Sequence, residues 1–158
     1  MSQIVVINFG SQVVHLIARR IRELGVYSEI KPFDVSVNEI KRLKPKGIIL
    51  SGGPASVYEK NSPLLDKKIF SLGIPVLGIC YGLQLIGKEY GKVLPGKLKE
   101  FGKKSLSVKN NGKLLRGLNK KEQIWMSHGD LVASLPKDFE ILGSTETCKI
   151  AAVENDKA

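Results

Sequence analysis

The chain has 158 residues, 42% of them hydrophobic, and a formal charge of +10, which suits one domain with a sizeable core and leaves little room for a second. No charged-then-apolar leader is present and no apolar run approaches the ~20 residues needed to span a bilayer, so a membrane role is set aside and a cytoplasmic protein with Cys80 and Cys148 as unbridged thiols is expected. The stretch Lys88–Lys121 holds eleven Lys or Arg against Glu89 and Glu100, but only Tyr90 and Phe101 as aromatics, so it reads as a solvated lysine-rich surface or an acidic partner's docking face rather than a nucleic-acid footprint.

In chain order, Ile4-Val5-Val6-Ile7 predicts a first strand. Ser11 is placed to cap a helix whose Val14, Ile17, Ala18, Ile21 and Leu24 recur at helical spacing and face the sheet, with Gly25 ending it. His15 falls beside Arg19 and Arg22 on the opposite, solvated face. A second strand is expected over Val26–Ile30, and Ser36 with Glu39 has capping-box spacing for a short helix through Leu43. Gly47–Leu50 predicts the third strand, Ser62-Pro63 the start of a helix closing at Leu72-Gly73, and Ile74–Ile79 the fourth strand. The alternation of strand and helix predicts a flavodoxin-like α/β fold, with helices on both faces of a mostly parallel sheet and the site at the strands' carboxyl edge. After Gly91 the rhythm breaks into short strand-like pieces at Leu106–Lys109, Gln123–Met126 and Glu140–Leu142, read as small antiparallel additions, with a turn at Leu135–Asp138.

The strongest chemical signal is Gly78-Ile79-Cys80-Tyr81-Gly82, between a buried strand and a helix. This is the form of a nucleophile elbow: a strained turn exposes the central side chain, and glycines flank it because a Cβ there would crowd neighbouring backbone. A cysteine so placed sits at a helix amino end, where unpaired N–H groups favour the thiolate; the alternative is a core cysteine at a strand end. Attack on an amide makes an oxyanion, for which the Tyr81 N–H and the turn Ser51-Gly52-Gly53-Pro54, through Gly53, are candidate donors. No Gly-Lys-Ser/Thr follows that turn, so it is not a nucleotide P-loop. Gln84 lies one helical turn past Cys80, on the same side, and either reaches a ligand or faces solvent.

Phe9-Gly10-Ser11-Gln12, Ser51-Gly52-Gly53-Pro54, Gly78 to Gln84, Trp125-Met126-Ser127-His128-Gly129-Asp130 and Ser144-Thr145-Glu146-Thr147-Cys148 occur in an order that resembles the class I glutamine amidotransferase domain of the GMP synthase family, over essentially the whole chain. The cysteine elbow marks the amidotransferase class, and the Ser-His-Gly-Asp segment marks the branch. The resemblance implies that Cys80 is the nucleophile, that Gly53 and Tyr81 supply oxyanion donors, and that Gln84 with Ser127, His128, Gly129 and Asp130 holds the substrate glutamine. Phe101-Gly102 is similar to a pocket-edge motif. It implies no metal and no cofactor in this domain, which is expected to span residues 1–158, and an ATP-pyrophosphatase synthetase domain downstream. There ATP and magnesium would activate XMP for conversion to GMP by the released ammonia. A homodimeric intact enzyme is compatible with it.

The family's base and orienting carboxylate lie in a His-Pro-Glu segment beyond Ala158, so these residues alone are expected to hydrolyse glutamine weakly or not at all. His128 and Asp130 imitate a base and its orienter, but the matching family segment is a substrate-side loop. Two other readings stay open: a non-catalytic binding module acting through the basic stretch, and a different cysteine-elbow hydrolase of the same fold, such as a peptidase or deglycase-like protein.

Overall fold

A computed structural model describes residues 3–156, those at 96–99 by backbone alone. The chain forms two compact units, Met1–Glu89 and Tyr90–Lys157. Among the described residues no helix is long and apolar enough to cross a membrane.

The first unit is built on a parallel sheet of β1 (Gln3–Asn8), β2 (Tyr27–Pro32), β3 (Gly47–Leu50) and β4 (Val76–Gly78), in the order β2-β1-β3-β4. The central strands read as apolar runs because both their faces are covered: Val5, Val6 and Ile7 are fully buried, and so is Leu50. The chain steps outward from β1 to β2 and back across to β3. Right-handed crossovers therefore place α1 (Val14–Glu23) and α2 (Val37–Leu43) on opposite faces, the doubly wound arrangement whose ligand crevice opens where strand order reverses, past the ends of β1 and β3.

Helix α1 packs Val14 and Ala18 on Val6, with Ile17 and Ile21 beside them, and leaves His15 exposed. Two expectations for it fail. Ser11 is not its cap: the cap position is Val13, with no side-chain bond, and the Ser11 hydroxyl accepts the Val13 N–H at 3.2 Å in a turn just before the helix. Leu24 is 82% exposed rather than sheet-facing, because the helix has ended. The Gly25 N–H donates to Arg22 O and the Val26 N–H to Ile21 O, with Gly25 at φ +76°, so the chain turns away through a Schellman arrangement. Helix α2 follows its sequence closely, the Ser36 hydroxyl accepting the Glu39 N–H at 3.1 Å. The Glu39 carboxylate turns instead to Lys31, at 2.8 Å.

The helix expected from Ser62-Pro63 is a single 3-10 turn at Lys67–Ser71, capped by Asp66 through the Lys68 N–H. Residues 62–66 carry no regular structure; the Pro63 carbonyl accepts the Tyr81 hydroxyl, so the segment is used as a strap.

The second unit is antiparallel: β5 (Lys92–Val108), β6 (Lys121–Ser134), β7 (Glu140–Ser144) and β8 (Ala152–Glu154), in the order β6-β5-β7-β8. Of the short pieces expected here, Leu106–Lys109, as far as Val108, and Gln123–Met126 fall in two long strands, β5 and β6, whereas Glu140–Leu142 is the short strand β7. Their small core gathers Leu106, Leu115 and Leu142 with Val108 and Ile124. Strict alternation along β6 from Lys121 to His128 exposes Trp125 and covers Ile124 and Met126. The turn at Leu135–Asp138 is present, closed by the Phe139 N–H on Pro136 O. Most described lysines of the basic stretch are exposed; the side chains of Lys97 and Lys99 lie outside the described residues.

Candidate active site

The elbow begins where β4 ends. The Ile79 N–H donates to Leu50 O at 2.9 Å, still in register with β3. Cys80 then takes φ +52°, one of two non-glycine residues at positive φ among those described. Helix α3 (Tyr81–Tyr90) starts at the next residue, with the Gln84 N–H on Cys80 O at 3.0 Å. A left-handed φ is costly for an L residue, and here it is imposed from both sides by space. An ideal Cβ on Gly78 would lie 2.6 Å from the Gly82 carbonyl carbon, and one on Gly82 would lie 2.4 Å from Leu50 O. The flanking glycines are thus required by close backbone approach, as the sequence predicts.

The glycine-rich turn after β3 lies beside the sulfur-bearing residue. A Cβ on Gly52 would be 3.5 Å from Cys80 Cβ and 3.9 Å from Ser11 Oγ, whereas one on Gly53 would meet Phe9 O at 2.4 Å. Ser51 fixes this turn in a way the sequence did not disclose. Its fully buried hydroxyl accepts the Phe9 N–H at 3.0 Å and donates to Gly52 O at 2.8 Å, tying the ends of β1 and β3 together. Tyr81 anchors the other side: it is fully buried, its ring lies 5.5 Å from that of Phe9, and its hydroxyl donates to Pro63 O at 2.8 Å. Gln84 is buried, which removes the solvent-facing alternative.

Cys80 is partly exposed and in no disulfide. Burial pushes its thiol pKa up, and a hydrogen bond from the Tyr81 backbone N–H pulls it back only in part. The expected helix-end preference for thiolate is thus opposed by desolvation, the larger of the two effects on this thiol.

In the second unit, the segment Ser127–Asp130 lies on β6. His128 Nε2 is 3.0 Å from Glu100 Oε2, and the other carboxylate oxygen accepts the hydroxyls of Thr145, at 2.7 Å, and Thr147. The carboxylate partner of His128 is thus Glu100, not Asp130. Burial raises the Glu100 pKa, but the Thr147 and Thr145 hydroxyls and His128 outweigh it, so the carboxyl is held below its ordinary value. Cys148 is close by: one ligand atom each from Glu100, His128 and Cys148 falls within 4.8 Å of the others. These atoms could hold a metal such as zinc by type, and they also imitate a thiol–imidazole–carboxylate triad. Yet Cys148 is only 4% exposed, with burial followed by the Glu100 charge pushing its thiol up, and unlike Cys80 it is not at positive φ. Sequence reasoning missed Glu100, one of the two acids in the lysine-rich run.

A family profile described as glutamine amidotransferase class-I matches residues 5–158. The chain belongs to that family. It is 52% identical over 153 residues to GMP synthase [glutamine-hydrolyzing] of Caldanaerobacter subterraneus subsp. tengcongensis and 51% identical over 153 residues to that of Aquifex aeolicus, each match covering 96% of this chain and 30% of the relative. It therefore spans about a third of the length of these curated relatives. Among solved structures, a protein from Thermoplasma acidophilum provisionally named as a GMP synthase subunit superposes with a TM-score of 0.91 at 34% identity, covering 99% of this chain and 79% of that one. A glutamine amidotransferase from Thermotoga maritima, with a TM-score of 0.77 at 20% identity over 99% of this chain and 73% of that one, shares the fold. Membership in the amidotransferase class makes the elbow, the Ser51–Pro54 turn and Gln84 the candidate active site.

Proposed function

We propose that the chain is the glutaminase part of a cytoplasmic GMP synthase. The observation that carries this is Cys80 at left-handed φ immediately before α3, in a chain about half identical to enzymes of that name. Cys80 Sγ attacks the side-chain amide carbon of L-glutamine, and the negative charge on oxygen is taken by the backbone N–H groups of Tyr81 and Gly53. The thiol proton passes through a base to the departing nitrogen, the C–N bond breaks, and ammonia leaves a glutamyl thioester. Water then cleaves the thioester to glutamate and the thiol. The family's His-Pro-Glu segment is the proposed source of the base, and no cofactor takes part in this step. Gln84 and Ser127–Asp130 are assigned to holding glutamine. A partner synthetase domain using ATP and magnesium consumes the ammonia to convert XMP to GMP.

The test is labelling by an L-glutamine analogue bearing a diazoketone in place of the side-chain amide. The diazo carbon takes a proton, sulfur bonds to it and dinitrogen leaves. Peptide mapping should place a single adduct on Cys80, with L-glutamine protecting. Labelling spread over Cys80 and Cys148 alike, or indifferent to L-glutamine, would refute the assignment.

A further inference from the structure

Glu100 lies directly opposite His128 in the β5–β6 ladder, at the point where pairing resumes after an irregularity that separates it from the pair Pro95 and Asp130. Across that irregularity β5 advances further than β6, so that Ser127, His128 and Asp130 have partners in the ladder and Gly129 has none opposite it. The side chain of Glu100 adds a second constraint at His128, beside the break. It is 1% exposed, and a buried carboxylate is tolerated only when donors surround it. These donors come from two separate segments: His128 on β6 at 3.0 Å, and Thr145 and Thr147 in the connection between β7 and β8. The connection is itself folded around the same point, since the Cys148 N–H donates to Thr145 Oγ1 at 3.0 Å and the Thr145 N–H to Cys148 O at 2.9 Å. No buried side-chain nitrogen or oxygen lacks a partner among the described residues, so the knot is complete as it stands.

From this convergence we infer that Glu100 is a positioning residue for glutamine recognition: it fixes the shape of Ser127–Asp130 by pinning His128 against the 145–148 turn. The inference rests on the assignment of that segment to glutamine made above. A purely structural knot would contribute to stability and leave recognition unchanged, which separates the two.

The experiment compares Glu100→Gln, which keeps the shape and removes the charge, with Thr147→Val, which removes one donor and keeps the carboxylate. Both are read by saturation kinetics of the diazoketone analogue and by amide hydrogen exchange at residues 127–130. For folded E100Q, the half-saturating concentration should rise about tenfold, the loss expected with one charge-assisted hydrogen bond, while the maximal labelling rate changes less than about twofold. Exchange at Ser127, His128 and Gly129 should accelerate, with T147V intermediate on both measures. Unchanged half-saturation in a folded E100Q or T147V protein would overturn the inference. If the wild-type chain takes no label at Cys80, the glutamine assignment fails by itself. Exchange then decides the rest: unaltered protection at 127–130 sinks the positioning role, and accelerated exchange sustains it.

Discussion

The carbonyl oxygen of Leu50 lies 2.4 Å from the point where a side chain on Gly82 would begin, and Leu50 Cβ lies 2.6 Å from it. Strand β3 and the first turn of α3 are therefore in backbone contact behind the nucleophile. Gly82→Ala must force them apart, and a loss of about 3 kcal/mol or failure to fold is expected; urea denaturation measures it. Gly52→Ala meets Cys80 Cβ at 3.5 Å, an ordinary contact, so that variant should fold with less than about 1 kcal/mol lost and show its defect in slower labelling of Cys80.

Ser51→Ala leaves the buried Phe9 N–H without its 3.0 Å acceptor. The cost should be about 1–3 kcal/mol. Thermal melts will show it, and Ser51→Thr, which keeps a hydroxyl, should recover part of the loss.

Because burial raises the Cys80 thiol and the Tyr81 amide restores only part of the difference, the thiolate fraction near neutrality is below that of an ordinary cysteine. Alkylation by iodoacetamide should climb about tenfold per pH unit through and beyond roughly pH 8.5, the ordinary thiol value. A rate that levels off by about pH 7.5 would contradict this.

Cys80 holds φ +52°, a conformation glycine adopts without penalty. Cys80→Gly should therefore be more stable than Cys80→Ala by about 1 kcal/mol, the left-handed cost of a Cβ, while neither variant takes the diazoketone label.

The Glu100 carboxyl is raised by burial but brought below its ordinary value by Thr147, Thr145 and His128. A depressed acid contributes stability that is complete above its unfolded pKa of about 4.3 and disappears as pH falls through the folded value. Wild type should thus lose denaturant resistance more steeply below about pH 4.3 than Glu100→Gln, and the two curves should run parallel above it.

Local chemistry made half of this site legible. The Ser36–Glu39 cap, the bounds of β3 and the elbow depend on residues close in sequence, and their structures follow it. Ser62-Pro63 misled because proline at a first helical position fits a strap equally well; the segment's partner, the Tyr81 hydroxyl, is 18 residues away. The long strands β5 and β6 were read as fragments because glycine, proline and lysine interrupt their apolar alternation, and an exposed strand face accepts them. Glu100 was invisible for a different reason: its partners lie 28, 45 and 47 residues away, and no spacing rule reaches that far. The desolvation of Cys80 was not foreseen because a helix end can be read from sequence and burial cannot.

Among the described residues the strands of the parallel sheet all precede Ile79 and those of the antiparallel sheet all follow Gly91, with no strand of one interleaved among the other. Emerging from a ribosome, the first sheet can close before both strands of the later hairpin have emerged, and the elbow cysteine is already seated when that hairpin begins to pair. Vectorial assembly is thus available to this polypeptide at no topological expense.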